Sequence, residues 1–390
     1  MTAHLKPGTQ AGFSLIEVMV GVVIALVGLV AMVQTQVNSD RQQRSINSGG
    51  DAQVSGTISA FHIERDLRNA GAGFGNSSYL GCTVSAFDAQ RSPGAFTFPL
   101  APVQIVNGAA GAPDEIRVLY GNSSALSSSY GVSTAAATST TMQSSRNGLA
   151  LGDLVVITTP ASPSIAQGCR LAEITNTAPL SPDDGRTIGH NATAYTRTTP
   201  PPAIRLAAGA GQCTGAGSCA VRYNPVAVTV AFPAADTPAG TVGELRSLGD
   251  DPRLNAWAVN TTSSTLTLRD RLHNATASDV SDGVVDLQAE YGLDTNGDDV
   301  VDTWQGADPG DWTQVRSIRF AILSRGQDYD KAAVTTNAPT WSGGIFVMRN
   351  VDNTADAGTG SLGVNNWRNY RYNVFEVTVP LRNMIWRRFW

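Results

Sequence analysis

Gly12-Phe13-Ser14-Leu15-Ile16-Glu17-Val18 opens the stretch that decides the fold, and the run it begins, FSLIEVMVGVVIALVGLVAMV, extends from Phe13 to Val33. As a helix, 21 residues rise about 30 Å, the thickness of one bilayer core. One charge interrupts the run, Glu17. An ionisable group in such a span is costly and needs a reason. No small-x-small cleavage site follows the run, so an ordinary secretory signal peptide fits poorly. The leader before it, residues 1–12, is short and polar, with one Lys and no acid. Lys6 puts the leader on the cytoplasmic side, although Arg41 and Arg44 weaken a pure charge argument.

Composition sets the frame for the rest. The chain has 390 residues, 42% hydrophobic and only 15% charged, with a net charge of −5. There is no basic surplus, so a nucleic-acid partner is not expected. The four histidines, His4, His62, His190 and His273, are too scattered for a zinc site. The four cysteines suggest two disulfides in an exported head. Three connectivities are possible. Cys213 with Cys219 as a short local loop, and Cys82 with Cys169 as the long one, is the favoured pairing.

The string Gly12 to Val18 resembles the class III signal of type IV prepilins and of type II secretion pseudopilins. That resemblance implies a prepilin peptidase that cuts after Gly12 and methylates the new N-terminus at Phe13. It also implies that Glu17 is kept for assembly. Glu17 lies four residues from Phe13, on the same helix face. In a fibre it can meet the cationic amine of a neighbouring Phe13, each charge being less costly when paired.

Beyond Val33 the sequence reads as an amphipathic continuation of the helix over residues 34–74. A break is expected at Gly49-Gly50, because two glycines cost about 2 kcal/mol in a helix interior. Ile58, Phe61, Ile63 and Leu67 are the expected core contacts. Glu64-Arg65-Asp66-Leu67-Arg68-Asn69-Ala70-Gly71 resembles a stretch of the PilW-like minor pilins, and its charges read as a solvated face.

Residues 75–390 read as a β-rich head. Strands are expected at Glu115–Tyr120, Leu154–Thr158, Cys169–Thr175, Pro225–Phe232, Gly283–Tyr291, Val315–Ser324 and Val374–Val379. The Ser/Thr-rich stretches 122–148 and 178–203 read as loop insertions. The expected fold is therefore α+β and pilin-like: one long N-terminal helix on one β-rich head.

Asp294-Thr295-Asn296-Gly297-Asp298-Asp299-Val300-Val301-Asp302 places oxygen donors at alternate positions, as calcium loops do. Asp294, Asn296, Asp298 and Asp302 would give side-chain oxygens, and Val300 its carbonyl. Asp299 and Gln305 depart from the EF-hand pattern at positions 6 and 12. Six acids and no Lys or Arg lie between Asp294 and Asp311, so an unneutralised loop would repel itself. Ca2+ is the cofactor this reading implies.

Gly358 to Gly363 satisfies G-x-G-x-x-G but lacks the strand and helix of a nucleotide fold, and reads as a loop. No hydrolase or metalloprotease string is present, so an enzyme is not expected. The ending Val377-Thr378-Val379-Pro380-Leu381-Arg382-Asn383 again resembles PilW-like proteins, and Trp386 to Trp390 combine aromatics with Arg. The resemblance implies an inner-membrane precursor that joins other minor pilins and the major pilin in a priming or tip complex. A J-like type II secretion pseudopilin and a calcium-stabilised tip adhesin are the alternatives.

Overall fold

Leucine, valine, alanine and isoleucine fill the start of a single helix that runs from Leu15 to Asn69. The computed structural model describes residues 14–123, 129–145, 148–159, 168–176, 185–196, 213–214, 218–225, 243–330, 332–348 and 366–385. Gly12, Phe13 and Lys6 lie outside these, as do the expected strand 226–232, the 358–363 glycines and the Trp386–Trp390 tail.

The helix passes through Gly49 and Gly50 without the expected break. The local cost of two glycines is offset by tertiary docking, which starts at this point. Asn373 Nδ2 donates to the Gly49 carbonyl at 3.2 Å, and Ser324 Oγ to that of Ala52 at 2.7 Å. The helix ends at Asn69, and Gly71 follows at φ +78°, the left-handed conformation that suits a C-terminal glycine. Its N–H is taken by the Leu119 carbonyl at 2.9 Å, and Asn383 Nδ2 caps the Ala70 carbonyl at 2.9 Å.

From residue 52 onward the helix buries one stripe. Ala52, Gly56, Ser59, Ala60, Ile63, Asp66, Leu67 and Ala70 are all buried, at the three- and four-residue spacing of one helix face. The upper part of that stripe is small, which lets the sheet approach closely. At Gly56 a Cβ would stand 2.1 Å from the Phe375 ring. Ile63 and Leu67 are core residues as expected, but Ile58 and Phe61 are not: they are 42% and 60% exposed. They sit off the stripe.

Three large sheets make most of the described head, with a three-stranded and a two-stranded sheet beside them. A four-stranded antiparallel sheet receives the helix, in the order Thr303–Gln305, Val284–Leu293, Val315–Arg325, Tyr372–Pro380. A five-stranded antiparallel sheet lies beside it, in the order Ser278–Asp282, Thr265–Asp270, Arg253–Asn260, Glu115–Tyr120, Val103–Val106. Both contribute to one core with the helix, through residues such as Ile116, Trp257, Leu287, Tyr291 and Phe320. The third sheet has eight strands: Ala95–Pro99, Thr83–Phe87, Gly168–Glu173, Leu154–Thr159, Gly243–Gly249, Ser129–Ala135, Ser139–Met142 and Thr187–Gly189, in spatial order. Fully buried Phe74, Leu119, Leu248 and Leu272 join it to the rest in a second core.

The stretch 122–148 is therefore not a plain loop insertion, and neither is the described part of 178–203. The first holds the strands Ser129–Ala135 and Ser139–Met142, and the second Thr187–Gly189 and Tyr195–Thr196. Serine and threonine at alternate positions tolerate the pleated sheet, and β-branched threonine favours it. The buried partners Val132, Met142 and Ile188 are spaced too thinly along the sequence to dominate its composition.

Buried polar groups carry much of the head's specificity. Arg222 and Asp88 form a bidentate pair, Nε–Oδ1 2.7 Å and Nη2–Oδ2 2.9 Å, with both side chains out of solvent. The Glu173 carboxylate accepts from Tyr195 Oη and from the N–H groups of Arg222 and Tyr223. His190 is 1% exposed and lies 3.0 Å from Thr140 Oγ1. Burial, helped by the Arg170 charge, pushes its pKa down to about 4 from an ordinary 6.5. Above pH 6.5 the ring is neutral folded or unfolded, and its contribution is intact. As pH falls from 6.5 to 4 only the unfolded chain takes the proton, so stability is lost. At about 1.4 kcal/mol per pH unit the loss approaches 3 kcal/mol at pH 4. We expect the His190 ring resonance to stay neutral down to about pH 4 while the unfolding free energy falls. A ring titrating near 6.5 would contradict this.

Candidate assembly site

Among the described residues, nothing packs on the first half of the helix. Leu15–Val37 is long and apolar enough to cross a membrane, with a mean hydropathy of 2.7, and none of it is buried. Ser14 is the N-cap and Glu17 the third residue of the first turn. This spacing matches a capping box, yet Ser14 makes no side-chain cap bond. The Glu17 N–H donates to the Ser14 carbonyl at 3.0 Å, and its carboxylate stands exposed at the positive end of the helix dipole. Its expected partner, Phe13, lies outside the described residues.

After a polar stretch, apolar exposure resumes on the part of the helix beside the head. Val54, Ile58 and Phe61 are 60%, 42% and 60% exposed and follow one another at four- and three-residue spacing. They form a second face on the helix, turned away from the sheet.

The coupling between helix and head centres on Asp66. Sequence reasoning assigned it to a solvated charged face, but it is 3% exposed. Its Oδ2 accepts from Trp257 Nε1 at 2.9 Å and from Asn255 Nδ2 at 2.8 Å, and Tyr120 Oη lies 3.5 Å from Oδ1. The other charges of the segment keep the expected character: Arg68 pairs with Glu64 across one turn at the surface. The signal for Asp66 was present in the spacing, since residues 63, 66, 67 and 70 share one helix face. Tyr120 feels the buried carboxylate: burial, then the Asp66 charge, raises its phenol well above the usual range.

The acidic loop joins Val284–Leu293 to Thr303–Gln305. Asp294 Oδ1 accepts from the Gly297 N–H at 2.5 Å and Oδ2 from the Asp299 N–H at 3.0 Å. Asn296 and Asp298 each cap the N–H two residues on. Asp299, which stands where a calcium loop prefers glycine, takes φ +67°, a conformation aspartate tolerates better than most residues. Asp302 accepts from the Thr295 N–H and hydroxyl, and these bonds lower its pKa. A cation that sequence reasoning did not count is present. Arg316, outside the loop, reaches Asp294 at 2.8 Å and Asp299 at 3.2 Å. Among the described residues no group of three or more His, Cys, Asp and Glu is arranged to hold a metal. Val300 presents an exposed side chain, and its N–H is bound to Asp298.

Cys82 and Cys169 are disulfide-bonded, tying the start of the head to a strand 87 residues later. Val84 and Cys169 are paired in the same parallel ladder. Cys219 is disulfide-bonded too, and Cys213 is its cross-strand partner in a short antiparallel ladder.

A bare apolar helix half bearing one first-turn carboxylate, continued into a helix docked on antiparallel sheet, defines a pilin-class subunit. Residues 8–33 match the family model described as prokaryotic N-terminal methylation motif, and residues 258–383 match that of type IV pilus-assembly protein W. The second match covers the helix-docking sheet and the Trp257-bearing sheet's later strands. Over those residues the chain is similar to the PilW family of type IV pilus assembly proteins, and at its N-terminus to the prepilin N-methylation motif. No curated protein and no solved structure matches it significantly.

Proposed function

We propose that this chain is a minor pilin that joins a priming or tip complex for type IV pilus assembly and so supports twitching. The observation that carries this reading is the bare apolar helix surface Leu15–Val37, joined beyond a polar stretch by the exposed side chains of Val54, Ile58 and Phe61. One face of the helix is committed to its own head, and the other suits neighbouring helices of the minor and major pilins. In this reading prepilin peptidase removes residues 1–12 at Gly12 and methylates Phe13, and the head faces the periplasm before assembly. Glu17 then pairs with the Phe13 amine of a neighbouring subunit and sets the register. The Glu17→Ala chain should insert and be cleaved normally, yet be depleted roughly tenfold in sheared fibres, the loss of one desolvated ion pair. Normal incorporation would remove the assembly role. Deleting the gene should abolish surface pili and leave enzyme secretion intact. Loss of secretion with intact pili would instead assign the chain to a type II secretion pseudopilus. The adhesin reading requires the isolated head to bind cells or matrix, which the assembly reading does not.

We further propose that Asp294, Asn296 and Asp298, with the Val300 carbonyl and Asp302, take up Ca2+. Asp299 at φ +67° and the caps at Asn296 and Asp298 support this, since they give the loop the backbone curl that such sites use. Arg316 competes for Asp294, so the ion must displace it. Millimolar calcium should raise the melting temperature of the chain by a few degrees, and Arg316→Gln should enlarge the rise. No shift in either protein would leave Arg316 as the loop's only counter-charge.

A further inference from the structure

A cleft opens where the edge of the eight-stranded sheet meets the five-stranded sheet. Arg91, Arg117 and Arg271 line it, with Gln104 and the aromatic rings of Phe96 and Phe98. Its volume is about 50 Å³. At roughly 10–15 Å³ per water-sized sphere this admits about four waters, the size of one tetrahedral oxyanion.

The charges around it are not balanced. Among the described residues Glu115 is the one carboxylate bonded to the lining arginines: it binds Arg117 Nε at 2.5 Å and lies 3.5 Å from Arg271 Nη1. Asp88 is near Arg91, but both its oxygens are taken by Arg222. Arg91 donates from Nη2 to the Arg271 carbonyl at 2.5 Å and lies over the Phe96 ring at 4.0 Å. Its Nε is buried with no hydrogen-bond partner. Three guanidinium groups against one carboxylate leave two positive charges on the cleft, in a chain whose net charge is −5.

We propose that this cleft binds the phosphate group of a phosphate monoester. Such a group carries 1.5 to 2 negative charges at neutral pH, about the imbalance found here. Planar guanidinium forks suit its oxygens, and the unpartnered Arg91 Nε supplies a donor that the fold leaves unused. Gln104, which accepts from Arg117 Nη1 at 3.1 Å, holds that side chain at the floor. The Phe96 and Phe98 rings at the rim suit the less polar body of the ester. Burial lowers the pKa values of both Arg91 and Arg271, helped by the Arg269 and Arg222 charges at the first and by those of Arg117, Arg269 and Arg91 at the second, a cost that a bound dianion offsets. The site is independent of the assembly helix.

The test is calorimetric titration of the full chain in detergent, at low ionic strength, with glycerol 3-phosphate, inorganic phosphate and a dicarboxylate. Nanodiscs with and without phosphatidic acid form a parallel arm. Saturable glycerol 3-phosphate binding is expected, weakened about tenfold by Arg91→Gln and by Arg271→Gln. Glu115→Gln removes the competing carboxylate and should tighten binding several-fold, a gain that a misfolded variant cannot mimic. Arg91-dependent binding to phosphatidic acid discs would make the ester a lipid headgroup, and binding of the soluble ester alone would make it a free metabolite or glycan phosphate. No saturable binding up to about 10 mM ester overturns the proposal. So does equal affinity for the dicarboxylate, or indifference to all three substitutions.

Discussion

Asp66→Ala is expected to lower the head's unfolding free energy by about 3–5 kcal/mol. Buried Trp257 Nε1 loses its acceptor, and Asn255 Nδ2 loses one of two, keeping Tyr120 Oη at 3.1 Å. An unsatisfied buried donor costs about 1–3 kcal/mol, and the void left by the carboxylate adds to it. Asp66→Asn keeps one oxygen but turns an N–H toward donors, so an intermediate loss is expected. The same contact holds the last turns of the helix to the five-stranded sheet, and through it the exposed half of the helix to the whole head. Chemical denaturation of the two variants measures the loss, and limited proteolysis after residue 70 measures the uncoupling. A change under about 1 kcal/mol for Asp66→Ala would show that the cluster is not a structural node.

Arg222→Met should be comparably severe. It leaves Asp88, with no exposed side-chain surface, charged and without its bidentate partner. Breaking a buried pair from one side costs about 3–5 kcal/mol, whereas replacing both members by apolar residues is often close to neutral. The double variant Arg222→Met with Asp88→Leu should therefore recover most of the single variant's loss. Arg222 also donates from Nη2 to the His273 carbonyl at 2.7 Å, so recovery should fall short by about one hydrogen bond, roughly 1 kcal/mol. A double variant as unstable as the single one would mean that the guanidinium acts by packing and not by charge. The pair holds residues 88 and 222 together, in a region further stapled by the Cys82–Cys169 bridge.

Local chemistry made part of this molecule readable from its sequence alone. The Phe13–Val33 run, the Glu17 carboxylate and the strands expected at Glu115–Tyr120, Val315–Ser324 and Val374–Val379 rest on length, hydropathy and alternation, which neighbours along the chain supply. The bridge between Cys82 and Cys169 belongs to the pairing favoured among the three that four cysteines allow, and the fold settles it. Tertiary structure decided what those neighbours cannot. Gly49 and Gly50 stay helical because Asn373 and Ser324, more than 270 residues away, dock at that turn. Phe61 is bare and Asp66 is buried because the sheet meets a stripe whose small residues, Ala52, Gly56, Ser59 and Ala60, carry little hydropathic signal. The acidic loop has a counter-charge in Arg316, and the three-arginine cleft exists, only because separate strands converge. Charge neutralisation and donor satisfaction are settled between residues distant in sequence. Hydropathy and period read a chain one neighbourhood at a time, and here they predicted the helix and six of the 22 described strands but not which polar groups the folded chain would enclose.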